Sequence, residues 1–175
     1  MKKFANTNPE KLLNDPRIVF QREIFVQHKN DSDYLFWLKD EEYLIWAARS
    51  IYVYVNDNNV EVERRVIGGT RLEIPKEGLS WFVRMIEEKF LKSAAEGGLP
   101  KGQYGCEEVI NGERLIISRM FGTPGYSFRN HSRYSHLWDD STDPQDAMFT
   151  DEMLFEQGMF EDFKKLAEKI DQGKL

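Results

Sequence analysis

Histidines, a cysteine and paired carboxylates are the groups here that could run a reaction, and their spacing suits one poorly. His131 and His136 stand five apart, with Asp139 and Asp140 just beyond. A divalent metal favours such ligands, but five residues along a strand put two side chains on opposite faces. No HExxH motif or cysteine-rich set accompanies them, so no metal site is assigned. His28 lies beside a loop and reads as exposed. Cys106 is the only cysteine. It could pair with a histidine as a nucleophile, but an inert buried thiol is the commoner fate. Glu107-Glu108 and Asp139-Asp140 are adjacent, so on strands they point apart and read as solvated charge. Gly68-Gly69-Thr70-Arg71 and Phe121 to Gly125 contain glycines without the GK[ST] of a phosphate cradle. Both read as hairpin turns. No catalytic residue and no cofactor is assigned.

Basic residues interleaved with aromatics carry a different chemistry. The first half holds Tyr34, Phe36, Trp37, Lys39, Tyr43, Trp46, Arg49, Tyr52, Tyr54, Arg64, Arg65 and Arg71; the second holds Tyr104, Arg114, Arg119, Tyr126, Phe128, Arg129, Arg133 and Tyr134. Single-stranded nucleic acid calls for this mixture, with cations following phosphates and exposed rings stacking bases at about 1–3 kcal/mol each. The binding set read from it is Lys39, Arg49, Tyr52, Tyr54, Arg64, Arg65, Arg71, Arg119, Tyr126, Arg129 and Arg133. On a strand Tyr126, Phe128 and Asn130 share one face while Ser127 and Arg129 share the other, so one of the two must be core. Packing against helices is the competing use of these rings.

The elements that must position them are mostly strands. Residues 1–16 read as a loosely docked lead-in. Residues 17–96 form a first strand-rich half. It contains a strand from Arg17, a turn at Lys29 to Asp33, a second strand over Tyr34 to Lys39, and either two strands or one bent strand over Tyr43 to Val55. Asn56 to Asn59 is a turn. Val60 to Ile67 alternates, Gly68-Gly69 breaks the strand, and Thr70 to Ile74 resumes it. Leu79, Phe82, Val83, Ile86 and Phe90 then recur at three- and four-residue spacing, which predicts an amphipathic helix over 76–92. Trp81 and Phe82 belong to its packing face.

After the small-residue linker Ser93 to Gly102, residues 97–175 form a second strand-rich half. Asn111-Gly112 between alternating apolar residues is the strongest hairpin signal. A polar, aromatic strand covers Tyr126 to Trp138, an acidic loop Asp139 to Asp146, and a short strand Ala147 to Phe149. A helix begins near Thr150 or Asp151, breaks near Gly158 and ends about Ile170.

Size and charge bound the reading. At 175 residues with 13% aromatic content the chain can bury a real core. The net charge is −6, which by itself disfavours nucleic acid. Residues 139–175 carry eleven acidic against four basic groups, so the preceding 138 residues are near neutral. One cysteine, and no apolar run behind Lys2-Lys3, point to a cytoplasmic chain with no membrane partner.

Several strands and one helix, written twice, resembles the PUR-α/Whirly superfamily, which also includes the eukaryotic positive-cofactor transcriptional coactivators. VERRVIGGTRLEIPKEGLSWFVRMIEEKF is the closest match to such a unit; SFRNHSRYSHLWDD with Met148 to Ile170 is a looser second copy. The resemblance covers about residues 17–170. It implies an α+β fold of two ββββα-like halves, whose antiparallel curved sheets are each closed by one amphipathic helix. It also implies non-catalytic binding of single-stranded DNA or RNA, DNA favoured, in replication, recombination or transcription. Arg64, Arg65, Arg71, Arg129 and Arg133 would then face phosphates. The acidic net charge departs from the basic face usual in such binders. A homodimer and a protein partner at the acidic C-terminal end are compatible with this reading. A protein-interaction module using an aromatic sheet face is the alternative, and an enzyme with a cleft between the halves a second one.

Overall fold

A computed structural model describes residues 2–58, 60–137 and 140–175, with the backbone only of His28. The ends read for the Asn56–Asn59 turn and the Tyr126–Trp138 strand, the exposure of His28, and Asp139 lie outside the described residues. Two four-stranded antiparallel sheets run through the chain, each followed by a helix. Strands β1 (Ile18–Val26), β2 (Asp31–Asp40), β3 (Tyr43–Val55) and β4 (Glu61–Pro75) lie side by side in chain order. So do β5 (Gly105–Ile110), β6 (Glu113–Arg119), β7 (Gly125–Tyr134) and β8 (Pro144–Thr150). Helix α1 is Glu77–Met85, extended by one wider turn over Ile86–Phe90, and α2 is Met159–Asp171. The predicted α+β class and its two ββββα halves are what the chain forms. Among the described residues no helix is long and apolar enough to cross a membrane.

Local chemistry accounts for these elements. Asn111 at φ 49° and Gly112 at φ 82° supply the paired left-handed residues of a tight β5–β6 turn, and Glu113 then pairs with Ile110. β3 is one strand of thirteen residues. Gly68-Gly69 does not break β4 into a hairpin; the strand runs through both, at φ 129° and 125°. A Cβ on Gly68 would stand 2.0 Å from the Ala48 carbonyl oxygen, so the backbones meet closely where β4 bends past β3.

By packing, the chain divides at Arg71 rather than at the linker. One unit is Met1–Glu41 with Ile45–Arg71; the other is Glu42–Leu44 with Leu72–Leu175. In the first, the lead-in is firmly docked. Leu12 is fully buried with Phe36, Leu38, Ile45 and Ala47, and Phe4, Ile18 and Tyr34 pack at the edge of that cluster. Thr7 and Thr70 bond through their hydroxyls, Asn6 Oδ1 accepts from Thr70 N at 2.9 Å, and Lys2 Nζ lies 2.6 Å from Asp40. A sheet face must be covered by something, and here residues 2–15 do it.

In the second unit α1, the last element of the first half in sequence, packs inside the second half. The Phe82 ring lies 4.8 Å from Phe128, 5.4 Å from Phe149 and 6.3 Å from Phe163. Trp81 is buried beside Phe128. The helices bond to each other: Ser80 Oγ donates to Asp171 Oδ1 at 2.8 Å, and Lys164 pairs with Glu87 at 2.9 Å. This places Tyr126, Phe128 and Asn130 inward and Ser127, Arg129 and His131 outward on β7.

Candidate nucleic-acid interface

The outward face of the second sheet joins a cation to open aromatic surface. Register places Ser127 opposite Ser118 and Met148, and Arg129 opposite Ile116 and Asp146. Arg129 is held by neutral hydroxyls: Nε donates to Ser127 Oγ at 2.9 Å and Nη2 to Ser118 Oγ at 2.8 Å. Its charge is therefore oriented without being cancelled by a direct carboxylate bond. Beside it opens a cleft of about 670 Å³, floored by Ser118, Ser127 and Met148 and walled by Tyr104 and Phe121. The two rings lie 5.6 Å apart and are 57% and 84% exposed. Large rings so open to water are unusual unless something covers them in use. Arg119 also lines the cleft, paired with Asp151 at 2.7 Å.

Charges on this face are mixed, with Arg114 and Arg129 set among Glu107 and Asp146. His131 is held below its ordinary value, first by partial burial and then by the guanidinium groups of Arg114 and Arg129. Ser127 donates onward to Asp146 Oδ1 at 2.8 Å, and Arg114 pairs with Glu107 at 2.6 Å. A phosphate could approach Arg129 without first breaking an ion pair, whereas at Arg119 or Arg114 it must displace a carboxylate. Exposed pairs of this kind are weak, so that displacement is inexpensive.

Two of the expected contacts fail on burial. Tyr126 is fully buried, edge-on to Phe90 at 5.2 Å, with Arg119 4.4 Å above its ring. It offers no face to a base. Arg133 is also buried. Its Nε and Nη2 hold Glu113 at 2.7 and 2.6 Å, Nη1 holds Glu73 at 2.9 Å, and its guanidinium lies 5.0 Å over the Tyr43 ring. The cause is a break in register between Asn130 and Tyr134, where Ser132 N donates back to Asn130 Oδ1. This irregularity turns Arg133 away from the face that Arg129 occupies.

The other expected residues lie on the first sheet. Lys39 and Arg71 are half-buried. Arg49 is half-buried with its guanidinium 5.7 Å over Tyr34, and Tyr52 lies under Arg65 at 5.0 Å. Tyr54 is exposed. Arg64 bridges Glu61 at 3.0 Å and Asp31 at 2.9 Å, and Arg65 pairs with Glu63 at 3.4 Å. None of these lines the cleft beside Arg129.

The network around Arg133 was invisible to sequence spacing. Asn130 Nδ2 donates to Glu113 Oε2 at 2.6 Å and to the Glu73 carbonyl at 2.7 Å, Gln145 Oε1 accepts from Glu73 N, and His136 Nε2 lies 2.7 Å from Glu73 Oε1. Burial, the largest influence on the Glu113 carboxyl, pushes it up, but Arg133 and Asn130 together hold it below its ordinary value. Each buried charge here has partners, as a stable interior requires, and this makes the cluster a tie between strands. Cys106 is half-buried, and burial pushes its thiol up to about 11, which leaves it a poor nucleophile at neutral pH. Phe121, Met148, Ser118 and Ser127 were missed as site residues. Phe121 had a signal, since an aromatic placed in a glycine turn has little core to enter.

No protein-family model, curated protein or solved structure matches the chain.

Proposed function

We propose that this protein binds single-stranded nucleic acid, DNA favoured, on the outward face of its second sheet and without chemistry. Arg129 carries the proposal: a guanidinium fixed by two hydroxyls beside a cleft walled by two exposed rings. Phe121 and Tyr104 stack bases, Arg129 takes the adjoining phosphate, and Arg119 exchanges Asp151 for a second one. Duplex bases are already stacked on one another, so only a single strand offers its faces to such walls. The acidic C-terminal stretch limits nonspecific binding by repelling phosphate. An accessory role in replication, recombination or transcription follows from the ligand.

Fluorescence anisotropy with labelled single- and double-stranded oligonucleotides at two salt concentrations tests this. Two phosphate contacts predict a log–log salt slope of about −1.4 on single strands. Arg129→Ala and Phe121→Ala should each weaken single-strand binding by about tenfold. Absence of single-strand affinity, or affinity indifferent to salt, would sink the proposal. A second reading, contact with another protein through the same face, is favoured by the exposure of Met148, which lines the cleft with Phe121. It predicts a partner lost with Phe121→Ala and retained with Arg129→Ala.

A further inference from the structure

We infer that the far end of β4, Glu61 to Ile67, is an interface with a second copy of this chain, paired antiparallel across a two-fold axis. Residues Glu61 to Arg65 are all exposed, so both faces of this stretch meet water. The facing end of β3 is open too, with Tyr54 and Val55 exposed, as are Val60, Val62 and Ile67. Asn56 closes the ribbon tip, its N–H bonding to the Val60 carbonyl and its Oδ1 accepting from Asn58 N and Val60 N. A two-stranded ribbon without a covered face is marginal alone. β4 is also the outer strand of its sheet, so it presents a row of backbone donors and acceptors on its far side.

The charge order selects the occupant. Proteins commonly blunt such an edge with lysines or other charges; Glu61-Val62-Glu63-Arg64-Arg65-Val66-Ile67 carries two charges of each sign, in an order that complements itself. Centred on Arg64, a two-fold antiparallel pairing sets Glu63 opposite the partner's Arg65 twice and Val62 opposite Val66 twice. Opposite charges and β-branched side chains are the pairs that favour cross-strand contact. The two Arg64 residues meet on the axis, where each is already neutralised by Glu61 and Asp31. The in-strand pair of Arg65 with Glu63, loose at 3.4 Å, is given up in each copy, and two pairs across the axis take the place of the two lost. A foreign strand would lack this matched order. The contact is isologous and closes at two subunits.

Sedimentation equilibrium on the full chain tests it. An interface smaller than the usual stable class should give a dimer with a dissociation constant of about 10–100 µM. Glu63→Lys and Arg65→Glu, each setting like charges opposite one another, should raise that constant by about tenfold or more. The double variant E63K/R65E should restore it. Both positions are exposed, so thermal melts of all variants should match the parent. A chain monomeric throughout that range, a dimer indifferent to the single reversals, or a double variant that fails to recover would overturn the inference. Oligonucleotide affinity at the second sheet is a separate readout and can fail without affecting this one.

Discussion

Arg133 donates through Nη1 to Oε2 of Glu73 at 2.9 Å, tying β7 to the last residues of β4 inside the second packed unit. The guanidinium simultaneously grips Glu113 on β6. One cation thus holds two buried carboxylates, and its loss would leave both without the charge that stabilises them. Arg133→Ala should therefore destabilise the fold by about 3–5 kcal/mol. Urea unfolding followed by tryptophan fluorescence would measure it. Arg64→Ala, which removes two exposed pairs, should shift the urea midpoint far less.

The lead-in offers a second test. Leu12 is fully buried in a cluster of four other buried side chains, so Leu12→Ala should cost about 2–5 kcal/mol. A midpoint unchanged by that substitution would mean the first residues are not part of the folded core in solution.

Acid sensitivity follows from Glu113. Its folded carboxyl lies below the ordinary value of 4.5, so the unfolded chain binds the proton more readily. The stabilisation is fully present above 4.5 and is lost as pH falls through the depressed folded value. Tm should drop between about pH 5 and pH 3. Glu113→Gln, although less stable at neutral pH, should show a flatter profile across that window.

Cys106 should resist thiol reagents. With its thiol pushed up to about 11 from 9.0, the thiolate fraction at pH 8 is roughly a hundredfold below that of an unperturbed group. Reaction with an aromatic disulfide in the native protein should be slower by at least that factor, and should recover in urea.

Much of this architecture could be read from residue order, and the failures share a cause. The Asn111-Gly112 turn, the stripe of α1 and the alternation of β7 are local signals that the fold keeps. Alternation says which residues share a face, but only packing decides which face is covered. Tyr126 and Arg129 lie three apart and were read as joint contacts, yet one is core and the other open. Arg133 would continue the outward row of Arg129 if β7 were regular, and a bulge near Ser132 reverses it. Leu12 carried no periodicity because the lead-in holds only one short 3₁₀ turn, Leu12–Asn14, and its role comes from the sheet face it meets. Gly68-Gly69 looked like punctuation because glycine usually ends a strand; here the missing side chains let two backbones approach.

The seating of α1 also sets a timetable for biosynthesis. Phe82 lies against Phe163, made 81 residues later in the chain. At about 5–20 residues per second, the aromatic face of α1 waits roughly four to sixteen seconds at the ribosome for its last partner. During that interval it is a target for chaperones and for other nascent chains. A gene split at the Ser93–Gly102 linker would make the wait permanent, yielding one piece with a bare aromatic helix and another whose sheet is covered by α2 alone. Co-expression of the two pieces should then rescue what neither achieves alone.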